Sequence, residues 1–320
     1  MKNLDTLDRK ILYQLDCNSR LTASEIARSV RQGRDRVEYR INKLVENKVI
    51  KKFTTSVNLS SLGFTIYKMY LRIDTSNSNS KEFLKFLKTH PRVYWTAQSD
   101  GTWDLLLAIF ARSAVEYYQT QQSILEKFHE LIISFEVYQI VELDVFNKHY
   151  LVNSGESHVT VGGAPSNIKL DKTDISILKK LSNNSRESNT HLADSLNITP
   201  AIVSSRIDKL KKNGVITGFR IELDHRKIEM QFFKSQILLR SYDTKLLKNL
   251  REFCKKHPNI TYFIQQLGAC SVELEMEVDD YDHYYRVVEE LRVNFGKLIK
   301  NFQTIMIRKT FFNWVPNDLS

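Results

Sequence analysis

Apolar positions in the first fifty residues recur at helical spacing. Ile11, Leu12 and Leu15 form one stripe, and Ile26, Ala27 and Val30 a second. Val37, Ile41 and Leu44 fall at i, i+4 and i+7, the pattern of a helix buried on one side. Asp5 stands where it can cap the first helix, and Thr22 with Glu25 spells a capping box for the second. Further on the pattern changes. "TIYKMYLRID" (65–74), "VYWTAQ" (93–98), "WDLLLAIFA" (103–111) and "ISFEVYQIVEL" (133–143) are β-rich, and the segments 81–90 and 114–130 between them are helical. That order, β-α-β-β-α-β, predicts a ferredoxin-like arrangement behind three short helices.

The whole pattern occurs twice. LDTLDRKIL (4–12) matches LDKTDISIL (170–178), and the same offset carries Asn18-Ser19-Arg20 onto Asn184-Ser185-Arg186 and Arg40-Ile41 onto Arg206-Ile207. Val203, Ile207 and Leu210 repeat the third stripe, behind Thr199-Pro200, a cap followed by proline at the first helical position. With one inserted residue "HPRVYW" (90–95) meets "HPNITY" (257–262), and residues 232–311 repeat the β-α-β-β-α-β order. The sequence divides into a helix-turn-helix domain (1–53), a ferredoxin-like domain (54–150), a linker (151–167), a second helix-turn-helix (168–219) and a second ferredoxin-like domain (220–320). The linker's Gly, Ser and Asn content reads as flexible. Within each helix-turn-helix the tight turn asks for a left-handed residue, which suits Asn197 better than Arg31.

Charge sharpens this reading. The net charge is +10, which favours a polyanionic partner. Residues 1–52 carry 13 Lys/Arg against 7 Asp/Glu, and residues 168–219 carry 9 against 5. The positive charge thus sits largely on the two helix-turn-helix segments. Cys17, Cys254 and Cys270 are scattered and fit neither a disulfide framework nor a zinc site. No metal-ligand spacing, phosphate-binding loop or Ser/His/Asp arrangement is present, so no catalytic residue, metal or cofactor is expected. A charged N-terminus and the lack of a long apolar run predict a cytoplasmic, nucleoid-associated protein with no membrane partner.

"LDxxDxxILxxL…NSRxxxxxIA…RIxKLxxxxVI" followed by a ferredoxin-like domain resembles the Lrp/AsnC (leucine-responsive, feast/famine) transcription regulators, and the match runs through both copies. The resemblance implies an α+β chain of two winged helix-turn-helix domains, each followed by a ferredoxin-like domain. It also implies double-stranded DNA as partner, pseudo-dimer formation within the chain, further oligomers through the ferredoxin-like domains, and an amino acid or related small molecule as effector.

Counting 100° per residue from the apolar stripe turns Asp35, Arg36, Tyr39 and Lys43 outward on the third helix, with Arg40 at its flank. Ala201, Ile202, Ser205 and Lys209, with Arg206, are the equivalents. Arg34 and Thr199 begin the two reading helices and join this DNA-facing set, and Lys51 and Lys52 stand where a wing would touch backbone. The flanking arginines suit phosphates, and the outward residues suit base edges. Gly101 and Asp104 match the family's G-x-x-D turn near its effector pocket, whereas the second copy has Gly268 and Ser271. His90-Pro91 and His257-Pro258 read as helix ends. Trp95, Trp103 and Trp314 read as core or interface. Two rivals share the architecture or the charge: a siroheme-decarboxylase-like enzyme, and a nucleoid-compacting DNA-binding protein without sequence preference.

Overall fold

The computed structural model describes residues 4–153 and 158–312; Trp314 lies outside them. The first unit comprises α1 (Thr6–Cys17), α2 (Ala23–Val30), α3 (Arg34–Glu46) and β1 (Ile50–Val57). The Asp5 side chain accepts from Asp8 N–H, and Thr22 and Glu25 close a capping box on α2. The second unit repeats this with α6 (Lys172–Asn183), α7 (Asn189–Leu196), α8 (Pro200–Lys212) and β7 (Ile216–Leu223). Its core holds Ile177, Leu192, Val203 and Ile207 where the first holds Ile11, Ile26, Val37 and Ile41. The strands β1 and β7 run on past residues 53 and 219, because they pair with each other as an antiparallel ribbon joining the two units.

The remaining strands are β2 (Thr65–Ile73), β3 (Val93–Gly101), β4 (Leu105–Ala111), β5 (Ile132–Phe146), β8 (Gln231–Leu239), β9 (Ile260–Leu267), β10 (Val272–Val278) and β11 (Ile299–Phe312). Their order is β2-β4-β3-β11-β8-β10-β9-β5, and β5 also pairs with β2, so the two ferredoxin-like sheets close into an eight-stranded barrel. The long last strands close it. The first half of β5 lies on β2 and its second half on β9, while β11 lies first on β8 and then on β3. Closure pairs the otherwise open edge of β2 with β5. The helices α4 (Ser80–Thr89), α5 (Ala114–Phe128), α9 (Thr244–Lys256) and α10 (Tyr281–Phe295) cover its outer face, burying Phe83, Ile124, Leu250 and Leu291. His90 and His257 end α4 and α9, and each Nδ1 accepts the backbone N–H two residues on. Trp95 and Trp103 are buried in the inner cluster.

The linker is ordered where it is described. Residues His158–Gly162 form β6 on the edge of β5, and Thr160 Oγ1 donates to Asp144 Oδ1 at 2.6 Å. Its alternating Val159 and Val161 line an interior cavity, which a composition count does not reveal. No described helix is long and apolar enough to cross a membrane.

Candidate nucleic-acid interface

Each reading helix follows a tight turn whose pivot is left-handed. Asn197 has φ 53°, and Arg31 adopts φ 55° despite its side chain. The turn is fixed by hydrogen bonds from Gln32 N–H to Ala27 O at 3.0 Å and from Ile198 N–H to Ala193 O at 3.1 Å. A non-glycine residue in this region is costly. The same backbone geometry in both copies shows that the fold outweighs the residue's preference.

On α3, Val37, Ile41 and Leu44 are buried, while Arg34, Asp35, Arg36, Tyr39 and Lys43 are exposed. Arg36 Nη1 donates to Gln32 Oε1 at 2.9 Å, which holds the guanidinium beside the turn. Lys43 pairs with Glu46 at 2.9 Å and lies over the Tyr39 ring. On α8, Ala201, Ile202, Ser205 and Lys209 are exposed. Thr199 is committed to the helix, since its Oγ1 accepts Ile202 N–H at 3.3 Å.

Arg40 and Arg206 are placed differently from a free phosphate contact. Arg40 pairs with Asp5 at 2.9 Å and with Asp8 at 3.2 Å, and Arg206 pairs with Asp171 and, at 3.0 Å, with Asp174. Each arginine ties its reading helix to the capped start of the unit's first helix. Burial pushes the Asp8 carboxyl above its ordinary value, with Asp5 adding to the effect, while Asp8 and Asp5 raise Arg40 in turn. Lys51 is engaged across the ribbon, to Glu222 at 3.3 Å, and Lys52 reaches Asn183 at the end of α6 at 3.5 Å.

The repeated Asn-Ser-Arg motif clasps the two units together. Ser19 Oγ and Ser185 Oγ are 2.6 Å apart, Arg20 donates to Ser185 O and Glu187 O, and Arg186 donates to Ser19 O and Leu21 O. Arg20 also lies over Phe219 and Arg186 over Phe53. At a pseudo-two-fold axis each copy meets its own counterpart, so both must keep the same residues. The exact repeat of this motif was the available sequence signal.

The turns expected near an effector pocket lie where the last strand of the other copy crosses the barrel. Gly101 has φ +115°, and a Cβ there would meet Thr304 O at 2.9 Å; Gly268 has φ +139°, and a Cβ there would meet Tyr138 Cδ1 at 2.6 Å. Both glycines admit the crossing last strand of the other copy. Asp104 Oδ2 accepts Ile73 N–H at 2.9 Å, and Ser271 O accepts Gln266 N–H at 3.0 Å.

Sequence reasoning missed the barrel interior. β10 alternates as VELEMEV, with Val272, Leu274 and Met276 against the helices and Glu273, Glu275 and Glu277 inward. Glu273 accepts from Lys68 at 2.7 Å, Lys234 at 2.9 Å and Tyr70 at 2.5 Å, all buried. Despite burial, the two lysines hold Glu273 down at about 2, and Lys148 and His225 hold Glu277 still lower. Burial in turn brings Lys68 down to about 8. Lys68, Lys234, Glu275 and Glu277 line a cavity of about 270 Å³ between barrel and ribbon. An alternating strand looks the same whether its polar face meets water or a partner's charges, so pattern alone does not reveal the cluster.

The family of winged helix-turn-helix DNA-binding domains matches residues 4–51 and 170–217. The chain is 33% identical over 115 residues to an uncharacterized HTH-type transcriptional regulator of Pyrococcus horikoshii, covering 35% of this chain and 77% of that protein. It is 34% identical over 86 residues to the HTH-type transcriptional regulator LrpA of Bacillus subtilis, 27% of this chain and 62% of that one. Among solved structures, the siroheme decarboxylase NirDL in complex with an iron-uroporphyrin III analogue superposes with a TM-score of 0.64 at 12% identity, over 99% of this chain and 95% of that one. Identity that low shows a shared fold alone. With the DNA-binding unit matched in both halves and regulators aligned beside it, the chain belongs to the Lrp/AsnC family of HTH-type transcriptional regulators, as two copies fused in tandem.

Proposed function

We propose that this chain is a sequence-specific DNA-binding transcriptional regulator in which one polypeptide supplies both halves of a pseudo-dimer. The observation that carries the reading is the pair of reading helices, each with a solvent-exposed outer face, fixed to one another by the ribbon and the Ser19–Ser185 clasp. Rigid spacing between two reading helices is what recognition of two half-sites requires. An amino acid or related small molecule as effector, and assembly of several chains through the ferredoxin-like domains, belong to the same proposal.

Genome-wide mapping of bound sites tests it, combined with competition between a bound fragment and bulk DNA. Discrete promoter sites that resist bulk competitor are expected. Even coverage, with equal loss to any competitor, would favour a nucleoid-compacting role instead. The enzymatic rival has the likeness to NirDL behind it. Exposed arginines at Arg28, Arg31, Arg34 and Arg36 have no task in tetrapyrrole decarboxylation, whereas a DNA backbone would engage them. A coloured tetrapyrrole bound to the purified protein would restore that rival.

A further inference from the structure

The two reading units share a core but not a charge layout. In the first, Arg28, Arg31, Arg34 and Arg36 stand exposed around the turn and the first turn of α3. The equivalent positions in the second are Asp194, Asn197, Pro200 and Ile202, so no cation remains there. The second unit gathers its positive charge at the other end of its helix, where Lys209, Lys211 and Lys212 are exposed and the first unit has Lys43, Val45 and Glu46. Ile202 is 43% exposed although it is a large apolar residue at the start of a reading helix. Its neighbour Ala201 is exposed beside it.

These differences have direct consequences in a major groove. An arginine at the start of a reading helix donates in a fork to the O6 and N7 of guanine, whereas apolar side chains contact the methyl group of thymine. Arg36 is already held by Gln32 in a solvent-exposed pair, so exchanging that bond for a base costs little.

We infer that the chain reads a composite site, with guanine under the first unit through Arg36, supported by Arg34, and thymine under the second through Ala201 and Ile202. The phosphate grip differs as well, coming from the turn arginines in one half-site and from the helix-end lysines in the other. This inference rests on the DNA-reading proposal and assigns what each half reads.

Selection of duplexes from a random pool by the full chain tests it, repeated with Arg36→Ala and with Ile202→Ser. Both residues are exposed, and thermal melts of the two variants serve as the check that they fold. The wild-type protein should enrich two unlike half-sites, one bearing guanine and one rich in thymine. Arg36→Ala should lose guanine discrimination by roughly 5- to 150-fold and keep the thymine half-site. Ile202→Ser should do the converse. A symmetric motif, or variants that each weaken both half-sites alike, would overturn the inference while leaving DNA reading intact. Failure to bind any duplex would overturn the DNA-reading proposal itself.

Discussion

At the scale of single residues, what a side chain touches decides what its loss will do. Arg40 is ion-paired with Asp8, which is 8% exposed, so Arg40→Ala removes a partner from a largely buried carboxylate. Losing a charged hydrogen-bond partner at such a site costs about 1–3 kcal/mol. Arg40→Ala and Arg206→Ala should therefore both lower stability by that amount in chemical denaturation, with any loss of DNA affinity uniform across sequences. Unchanged stability would return both arginines to a pure phosphate-contact role. Glu273 gives a second test, through pH. Its folded value near 2 lies below the ordinary 4.5, so it contributes stability that is full above pH 4.5 and lost as pH falls toward 2. Glu277 acts in the same direction. The Glu273→Gln variant should show a shallower loss of stability across that acid window, and an unchanged slope would mean that the lysines do not hold the carboxylate ionised.

At the scale of elements, the glycine that ends β3 and the one that follows β9 make equivalent demands. Gly101→Ala and Gly268→Ala each place a Cβ within 3 Å of the other copy, at positive φ. Strain of this kind costs on the order of 1–3 kcal/mol, so both variants should melt lower by similar amounts. If neither stability changed, the turns would be free to serve an effector alone. The clasp offers a separate prediction. In the Arg20→Ala/Arg186→Ala double variant the cores of both units, the ribbon and the Ser19–Ser185 bond remain, but the arginine bonds across the axis are gone. DNA affinity should fall far more than the melting temperature, as measured by titration and by thermal unfolding. Much of this architecture was legible beforehand. The stripe of Val37, Ile41 and Leu44, the Asp5 and Thr22 caps and the offset between copies led to helices where helices stand. What a single copy cannot display remained hidden. The ribbon, the clasp and the crossing of β5 and β11 are contacts between copies, and short-range periodicity carries no information about them. The outward face of the reading helices was correctly placed by geometry, whereas the ion pairs of Arg40 and Arg206 depend on how each third helix leans on its first.

At the scale of the whole molecule, duplication has replaced a two-fold axis by a pseudo-two-fold one. Where the first copy has Leu106 and Ala108 on its central strand, the second has Glu273 and Glu275, and these meet Lys68 from the first copy and Lys234 from the second. Breaking one partner of a buried pair leaves an uncompensated charge, which costs about 3–5 kcal/mol. The interior therefore favours pairing of unlike halves over pairing of like ones. The same asymmetry reaches the DNA-facing surface, where arginines and an exposed isoleucine take equivalent positions. A single chain carrying both halves should then fill one operator by itself. The most direct measurement is the stoichiometry of the specific complex, by sedimentation of the full chain on a duplex selected from its own bound sites. One chain per operator is expected, protecting two half-sites of different sequence. Two chains bound to a palindrome, each presenting the same unit, would contradict it.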